Sequence, residues 1–485
     1  MAGPVATSGE HEAATGGAFE KKGLAWGIFE WARNPYYNVI VIYVFTVYFA
    51  REVVGSGTEG QATVADTIKL AGMIMAVLAP LLGVIVDRGG GKKSFIFITL
   101  ALLGGCSFGL GFIKPDIPNA IPIGMTLLII GYCSYSLSEI LHNSLLPAAG
   151  EPKALPVISG LGLFMGNIAG VLMLVGLLAT ANTSFVTSLG GVGPFSAFVV
   201  AVWLAIFIIP FFLFMPDHKG TAGTWKKAIS ELISGDETNR SQGILVRAQQ
   251  AIMTPLDFVV QKFREFPNVM LYLFARMIYA DGIAVLLTIG AVYVAGVLGW
   301  TGTEVILFGI LGSLFGALGG FVGGYLDRTF GPKRALIIEL CAICIILTIQ
   351  VSVTQEAILF GLIPAGHDVW TGFGSGMFTS LSDVFYLFMI VPGGIMIVAC
   401  ISSSRYMLVH LAPPDRIGEF FGFYAMAGSV TVWIGPAVVA YMTRAHESQR
   451  IGMVSVMSLF FIGLALLFFV RADKTPEHLK EQPRY

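Results

Sequence analysis

Residues 83–93 read Gly-Val-Ile-Val-Asp-Arg-Gly-Gly-Gly-Lys-Lys, and residues 323–334 read Gly-Gly-Tyr-Leu-Asp-Arg-Thr-Phe-Gly-Pro-Lys-Arg. Both spell G-x-x-x-D-R, then a glycine and a basic pair, carried by Gly83, Asp87, Arg88, Gly90, Lys92 and Lys93, and by Gly323, Asp327, Arg328, Gly331, Lys333 and Arg334. The second copy has one extra residue before its glycine. Asp87 and Asp327 stand about half of the 485-residue chain apart, and each phrase joins two apolar runs of membrane length. A charged turn written twice at that interval implies duplication, and its apolar flanks place the duplicated unit in a membrane.

Composition agrees. Hydrophobic residues make up 55% of the chain and charged residues 12%, where a soluble domain carries about 25%. The 59 glycines suit helices that approach one another closely, since small residues let backbones pack in lipid. A net charge of −1 gives no reason to expect a nucleic-acid partner. Cys106, Cys133, Cys341, Cys344 and Cys400 all fall in apolar runs and read as small packing residues, not as a disulfide framework or metal site.

Apolar stretches of about 20 residues fall near 35–54, 66–86, 94–113, 120–142, 157–180 and 195–215, then near 269–297, 304–325, 334–354, 385–407, 417–443 and 450–470. The expected fold is therefore an all-α membrane protein, with twelve transmembrane helices in two pseudo-symmetric six-helix bundles. The expected organisation is a disordered tail at 1–22, a bundle at 23–215, a polar linker at 216–268, a bundle at 269–470 and a tail at 471–485. The linker holds Lys219, Lys226, Lys227, Arg240, Arg247, Lys262 and Arg264, and part of it is expected to lie on the membrane surface as an amphipathic helix.

With a cytoplasmic N-terminus, Arg51, Lys69, Lys114, Arg444 and Arg450 fall outside, and Arg33, Arg276 and Arg405 fall in or near spans. The remaining 21 of the 29 Lys and Arg lie inside. That asymmetry obeys the positive-inside rule. The first 22 residues lack an apolar core and do not read as a cleavable signal, so the reading is a multi-pass protein of a bacterial inner membrane with both termini cytoplasmic.

Both repeated phrases then fall in cytoplasmic turns, between spans two and three and between spans eight and nine. In this the chain resembles the major facilitator superfamily, whose hallmark is that turn. Asp87 and Asp327 are expected to accept hydrogen bonds at a neighbouring helix N-terminus and to pair with basic groups such as Arg88 and Arg328, forming a gating latch. A narrower resemblance is to the vacuole-effluxer-like branch. It rests on Trp26 to Phe49, on Asn143, Leu145, Leu146 and Pro147, on Tyr279, Asp281 and Gly282, and on Glu419 to Tyr424 followed by Gly435 and Pro436. Glu30 stands where that branch more often has aspartate, and Arg33 and Pro35 give the first span its own charge and shape. The resemblance implies a secondary transporter in which two six-helix halves alternate access to a small polar solute, with amino acids the first class and a proton or sodium ion as partner.

Ionisable groups inside spans are costly, and so they point to function. Asp281 lies about 12 residues into span seven, roughly 18 Å deep in a ~30 Å core, and is expected to bind a proton, a sodium ion or a substrate amine. Gly282 beside it is expected to loosen the helix. Arg276 suits a carboxylate through its paired donors and shares a face with Tyr279, while pointing about 140° from Asp281. Glu30 and Arg33 share a face and read equally as a gate pair or a helix-end salt bridge. The interval between the phrases maps Glu30 onto Met270 and Asp281 onto Val41, so Glu30 is shallow and Asp281 deep. Asn34, Tyr37 and Asn38, with Tyr36, supply polar groups to the cavity. Glu139, His142, Glu339, Arg405 and His410 read as snorkelling or capping residues at helix ends.

There is no phosphate-cradling loop, metal-ligand spacing or nucleophile motif in the sequence, so no cofactor and no enzymatic activity is expected. A sodium-coupled or sugar symporter, and a non-transporting receptor or scaffold of the same fold, remain open alternatives.

Overall fold

In the computed structural model the apolar runs become helices wherever they are closed by glycine-bearing or charged turns. The structure describes residues 20–89, 91–151, 154–217, 260–365, 376–413, 416, 420, 421, 423, 424, 428 and 431–472, leaving aside the side chains of 79–89 and Pro156. The expected tail at 1–22 and linker at 216–268 lie largely outside these residues, as does most of the tail at 471–485.

The chain begins with α1 (Lys21–Pro35) and continues through α2 (Gly57–Gly89), α3 (Lys92–Leu110), α4 (Ala120–Asn143) and α5 (Leu155–Thr180). Next comes α6, Val192–Phe207, prolonged by Ile209–Phe214. The second set is α7 (Pro267–Val297), α8 (Gly302–Phe330), α9 (Pro332–Val351), α10 (Leu381–Leu411), α11 (Ile434–Ala445) and α12, Gln449–Ser455 followed by Met457–Phe469. A two-residue ribbon, β1 (Ala357–Ile358) against β2 (Ile363–Pro364), follows α9. Among the described residues ten helices are long and apolar enough to cross a membrane. The first apolar run is not among them because its helix is broken, and the run at 417–443 is only partly described.

The break in the first helix has a cause in the sequence. Proline has no N–H to give and crowds the preceding turn, and directly after Pro35 the chain widens into π-type turns over Tyr36–Tyr43 and again over Phe49–Val53. There Val44 N–H reaches the Val39 carbonyl at 2.9 Å, and the Thr46 hydroxyl donates to the Val41 carbonyl at 3.0 Å. Wide turns of this kind mark functional segments in many helices.

The described residues group into two compact units. One draws on Met1–Val53 and Ile74–Ile244, the other on Val54–Met73 and Leu245–Tyr485. Within the second, Arg444 on α11 donates to Glu59 at 2.8 Å and also binds Asp66. Gln61 Nε2, buried below that pair, donates to the Thr443 hydroxyl at 3.0 Å and the Gln449 carbonyl at 3.1 Å.

The duplication shows in what the basic residues of the two phrases do. Lys93 Nζ donates to the Phe212 and Met215 carbonyls, each at 2.8 Å, at the end of the last helix of the first set. Lys333 Nζ donates to the Phe468 carbonyl at 3.1 Å, at the end of α12. A cation there meets unpaired carbonyls and the negative end of the helix dipole.

Glycines set the spacing of α8 on α10. A Cβ on Gly319 would come within 2.4 Å of the Ile395 carbonyl oxygen and 2.9 Å of the Ala399 nitrogen, and one on Gly323 within 3.0 Å of the Ala399 carbonyl. The opposing atoms are backbone and cannot rotate away. Gly319→Val is therefore expected to destabilise by about 1–3 kcal/mol or more, read as a lower thermal midpoint in detergent. Gly320→Ala, where a Cβ meets nothing within 4 Å, is the neutral control.

Candidate functional site

α7 carries Arg276, Tyr279 and Asp281 in one unbroken helix. Asp281 is 3% exposed. Its Oδ1 accepts a hydrogen bond from the Thr431 hydroxyl at 3.2 Å, and it forms no ion pair among the described residues. A buried carboxyl whose partner is a neutral hydroxyl has no fixed counter-charge there, an arrangement that suits proton or cation exchange. α11 passes directly over it, since a Cβ on Gly435 would stand 3.0 Å from the Asp281 carbonyl oxygen. Gly282 does not loosen the helix as expected. It makes room for the Phe460 ring of α12, which a Cβ would meet at 2.9 Å.

Arg276 and Asp281 contact different groups, as their angular separation predicts. Arg276 Nη1 donates to the Tyr424 carbonyl at 2.7 Å, and its guanidinium lies 3.5 Å from the Tyr424 ring centroid. Tyr279 meets the Ser404 hydroxyl at 2.8 Å. Ser404 spends its own proton on the Cys400 carbonyl at 2.6 Å, which leaves Tyr279 as the donor. Tyr279 therefore braces α7 on α10, buried and with its donor committed in this conformation.

The first unit gathers a separate cluster on α1 and α4. Arg33, 2% exposed, donates from Nη2 to both Glu30 carboxylate oxygens at 3.0 and 2.8 Å. Its Nη1 donates to the Tyr135 carbonyl at 3.2 Å and lies 3.5 Å from Glu139 Oε2. The Tyr135 hydroxyl donates to Asn34 Oδ1 at 3.3 Å, and the Tyr135 ring stacks on Tyr37 with centroids 5.4 Å apart. Asn34 and Asn38 pack on glycines of α5: Gly166 leaves room for Asn34, and a Cβ on Gly170 would collide with Asn38 Nδ2. Asn34, Tyr37 and Asn38 are all partly exposed.

Three residues expected at the membrane surface are buried instead. His142 and Glu339 are fully buried and His410 is 6% exposed, so none of them snorkels. His142 is enclosed by aromatic rings of α1, and Glu339 Oε1 accepts from the Ser403 hydroxyl at 2.9 Å. Asp327 makes no ion pair among the described residues. It lies against the same Ser403, its Oδ1 has no hydrogen-bond partner there, and Arg328 is exposed. The side chains of Asp87 and Arg88, and all of Glu419, lie outside the described residues.

The sequence profile described as "Vacuole effluxer Atg22 like" matches residues 52–480. The chain belongs to that family. It is 24% identical over 473 residues to a Bacillus subtilis (strain 168) protein described as the uncharacterized MFS-type transporter YxiO, with 96% of this chain and 98% of that one covered. It is 22% identical to autophagy-related protein 22 of Coccidioides immitis (strain RS), covering 86% of this chain and 73% of the relative. Against autophagy-related protein 22-1 of Penicillium rubens it is 24% identical and spans 43% of the relative's length. Among solved structures it is similar to peptide transporter POT, with TM-score 0.62 and 16% identity over 95% of this chain and 97% of that one. It is likewise similar to a D-xylose-proton symporter, with TM-score 0.61 and 14% identity over 94% and 98% of the two chains. These likenesses show the major facilitator fold. The protein is a multi-pass membrane transporter of that type.

The sequence reading did not assign Thr431 or His142 to a site. Thr431, the hydroxyl that answers Asp281, lies 150 residues away in an ordinary apolar run, and nothing in its local pattern marks it. His142 had a usable signal, because it is three residues from Glu139 on one helical face, opposite a tryptophan-rich first helix.

Proposed function

We propose that this transporter moves a small polar solute, with amino acids the first class to test, and couples that movement to protons through Asp281. The observation that carries the reading is a carboxyl buried mid-helix whose side-chain partner is the Thr431 hydroxyl, where a cation partner would have fixed its charge. Arg276 stands five residues nearer the start of α7, partly exposed and stacked on Tyr424, where a substrate carboxylate can compete for its free donors. Glu30 and Arg33 act as a gate in the first unit, with Asn34, Tyr37 and Asn38 as polar lining. The near-full-length match to a Bacillus subtilis relative and the placement of the basic residues support a bacterial plasma membrane with both termini cytoplasmic. Family and fold point to transport and away from catalysis.

The test is solute uptake into proteoliposomes under an imposed pH gradient. Accumulation of an amino acid is expected to follow the gradient, to collapse with a protonophore, and to ignore replacement of sodium by potassium. Uptake that follows sodium and disregards the pH gradient would sink the proton reading. A panel in which sugars are accumulated and amino acids are not would sink the solute class.

A further inference from the structure

His142 poses a proton-counting problem that the rest of the site does not resolve. Its Nε2 lies 3.0 Å from the Trp26 carbonyl oxygen. A carbonyl only accepts, so Nε2 carries a hydrogen. The Trp26 indole N–H donates in return to the His142 main-chain carbonyl at 3.3 Å, a second tie between α1 and α4 at this residue. With Nε2 protonated, a neutral imidazole presents a bare lone pair at Nδ1. That atom is buried, stands 3.2 Å from Glu30 Oε1, and has no well-aligned hydrogen bond among the described residues. Two lone pairs held face to face in a dry pocket repel. The contact makes sense with one more proton in it.

Aromatic faces and carboxylates surround the place that proton would occupy. The ring is sandwiched between Trp26 and Phe29, with centroids 4.2 and 3.9 Å away and planes within 22° and 13°. Aromatic faces of this kind favour a cation. On α1 the charged neighbours are Glu30 and Arg33, and on α4 Glu139, so a neutral His142 leaves one cation facing two carboxylates. Tyr135 adds a neutral phenol, its ring under the Arg33 guanidinium. α5 and both pieces of α6 contain no titratable side chain, and from α6 Phe211 closes the ring's edge at 5.9 Å. Lys92 of α3 is engaged at the Ser144 carbonyl at 3.4 Å, and Lys21 lies over the Phe214 ring.

We propose that His142 and Glu30 form a proton-binding site in the first unit, separate from Asp281, in which one exchangeable proton is shared between His142 Nδ1 and Glu30 Oε1. Binding needs no other reactant. The proton comes from solvent, with half-exposed Glu139 as the member of the cluster in contact with it, and returns there on release. Holding the proton closes the Glu30 contact between α1 and α4, and releasing it opens that contact at the wide-turned first helix.

The experiment is a pH titration of the full-length protein in lipid nanodiscs, with ¹⁵N-labelled histidine rings read by NMR. His142 is picked out from the seven histidines by its loss in His142→Gln. At neutral pH the expected signal has both ring nitrogens protonated, and a single titration step leaves Nε2–H alone. In Glu30→Gln the Nδ1 proton is expected to be absent at the pH where the parent holds it. Glu30→Gln retains the ring and gives the same reading should His142→Gln fail to fold. A protonated-carboxyl infrared band lost in Glu30→Gln supports the same site with the proton resting on the glutamate. A neutral Nε2–H ring with no protonated carboxyl at every pH, unchanged in Glu30→Gln, overturns the proposal. The titration is read without solute, so its failure is distinct from failure of the coupling role of Asp281.

Discussion

Asp281→Asn is expected to bring proton-driven accumulation down to about unity while leaving solute exchange across the membrane intact, because a carrier without its ion partner can only equilibrate its solute. Asparagine fills the same space, and its Oδ1 can still accept from the Thr431 hydroxyl, so the packing of α11 over α7 is preserved. It cannot release or take up a proton. The measurement pairs two assays on one preparation, accumulation under a pH gradient and counterflow with none. Loss of the first with retention of the second is the expected pattern. Full accumulation with an unchanged pH profile removes Asp281 from the coupling step, and loss of both points to a damaged binding site. Thr431→Val separates the hydroxyl from the carboxyl: it deletes the donor and leaves the acid in place, so coupling is expected to persist with an altered pH dependence.

How much of this was legible in the sequence depends on whether a residue's meaning is local. The limits of α3, α4, α5, α7 and α9 follow the apolar runs to within a few residues, since lipid demands continuous hydrogen-bonded helix and the charged turns stop it. The position of Asp281 near the middle of α7 was legible for the same reason. The start of the first helix was not. Hydropathy places it at 35, yet the helix begins at Lys21, because Glu30 and Arg33 interrupt the apolar run while satisfying each other inside it. The repeated phrase was read as a latch of aspartates and basic partners. The structure gives its lysines a different task, capping the last helix of each set from equivalent positions, and sets Asp327 beside Ser403 and Glu339. Polar residues near helix ends are ambiguous in sequence, because snorkelling and burial leave the same pattern. What separates them is the partner, and for His142 that partner is 116 residues away.

Arg33→Met is expected to destabilise the protein by about 3 kcal/mol, the lower end of the ~3–5 kcal/mol seen when one member of a buried ion pair is removed. Arg33 is 2% exposed and Glu30 15%, so the glutamate left behind cannot be rehydrated without opening α1 against α4. The loss falls at the lower end if His142, 3.2 Å from the same carboxylate, holds the proton proposed above. Glu30→Gln in the Arg33→Met background is expected to recover most of the loss, since the charge that could not be solvated is gone. A double-mutant cycle on thermal unfolding in detergent measures this coupling. Strictly additive losses would mean that Arg33 acts through its stacking on Tyr135 and its bond to the Tyr135 carbonyl, and not through Glu30. A strong coupling would instead make the pair a unit whose charge balance sets how tightly α1 holds α4. That is the property a gate needs, because such a contact changes only when a proton or a charged solute changes its balance.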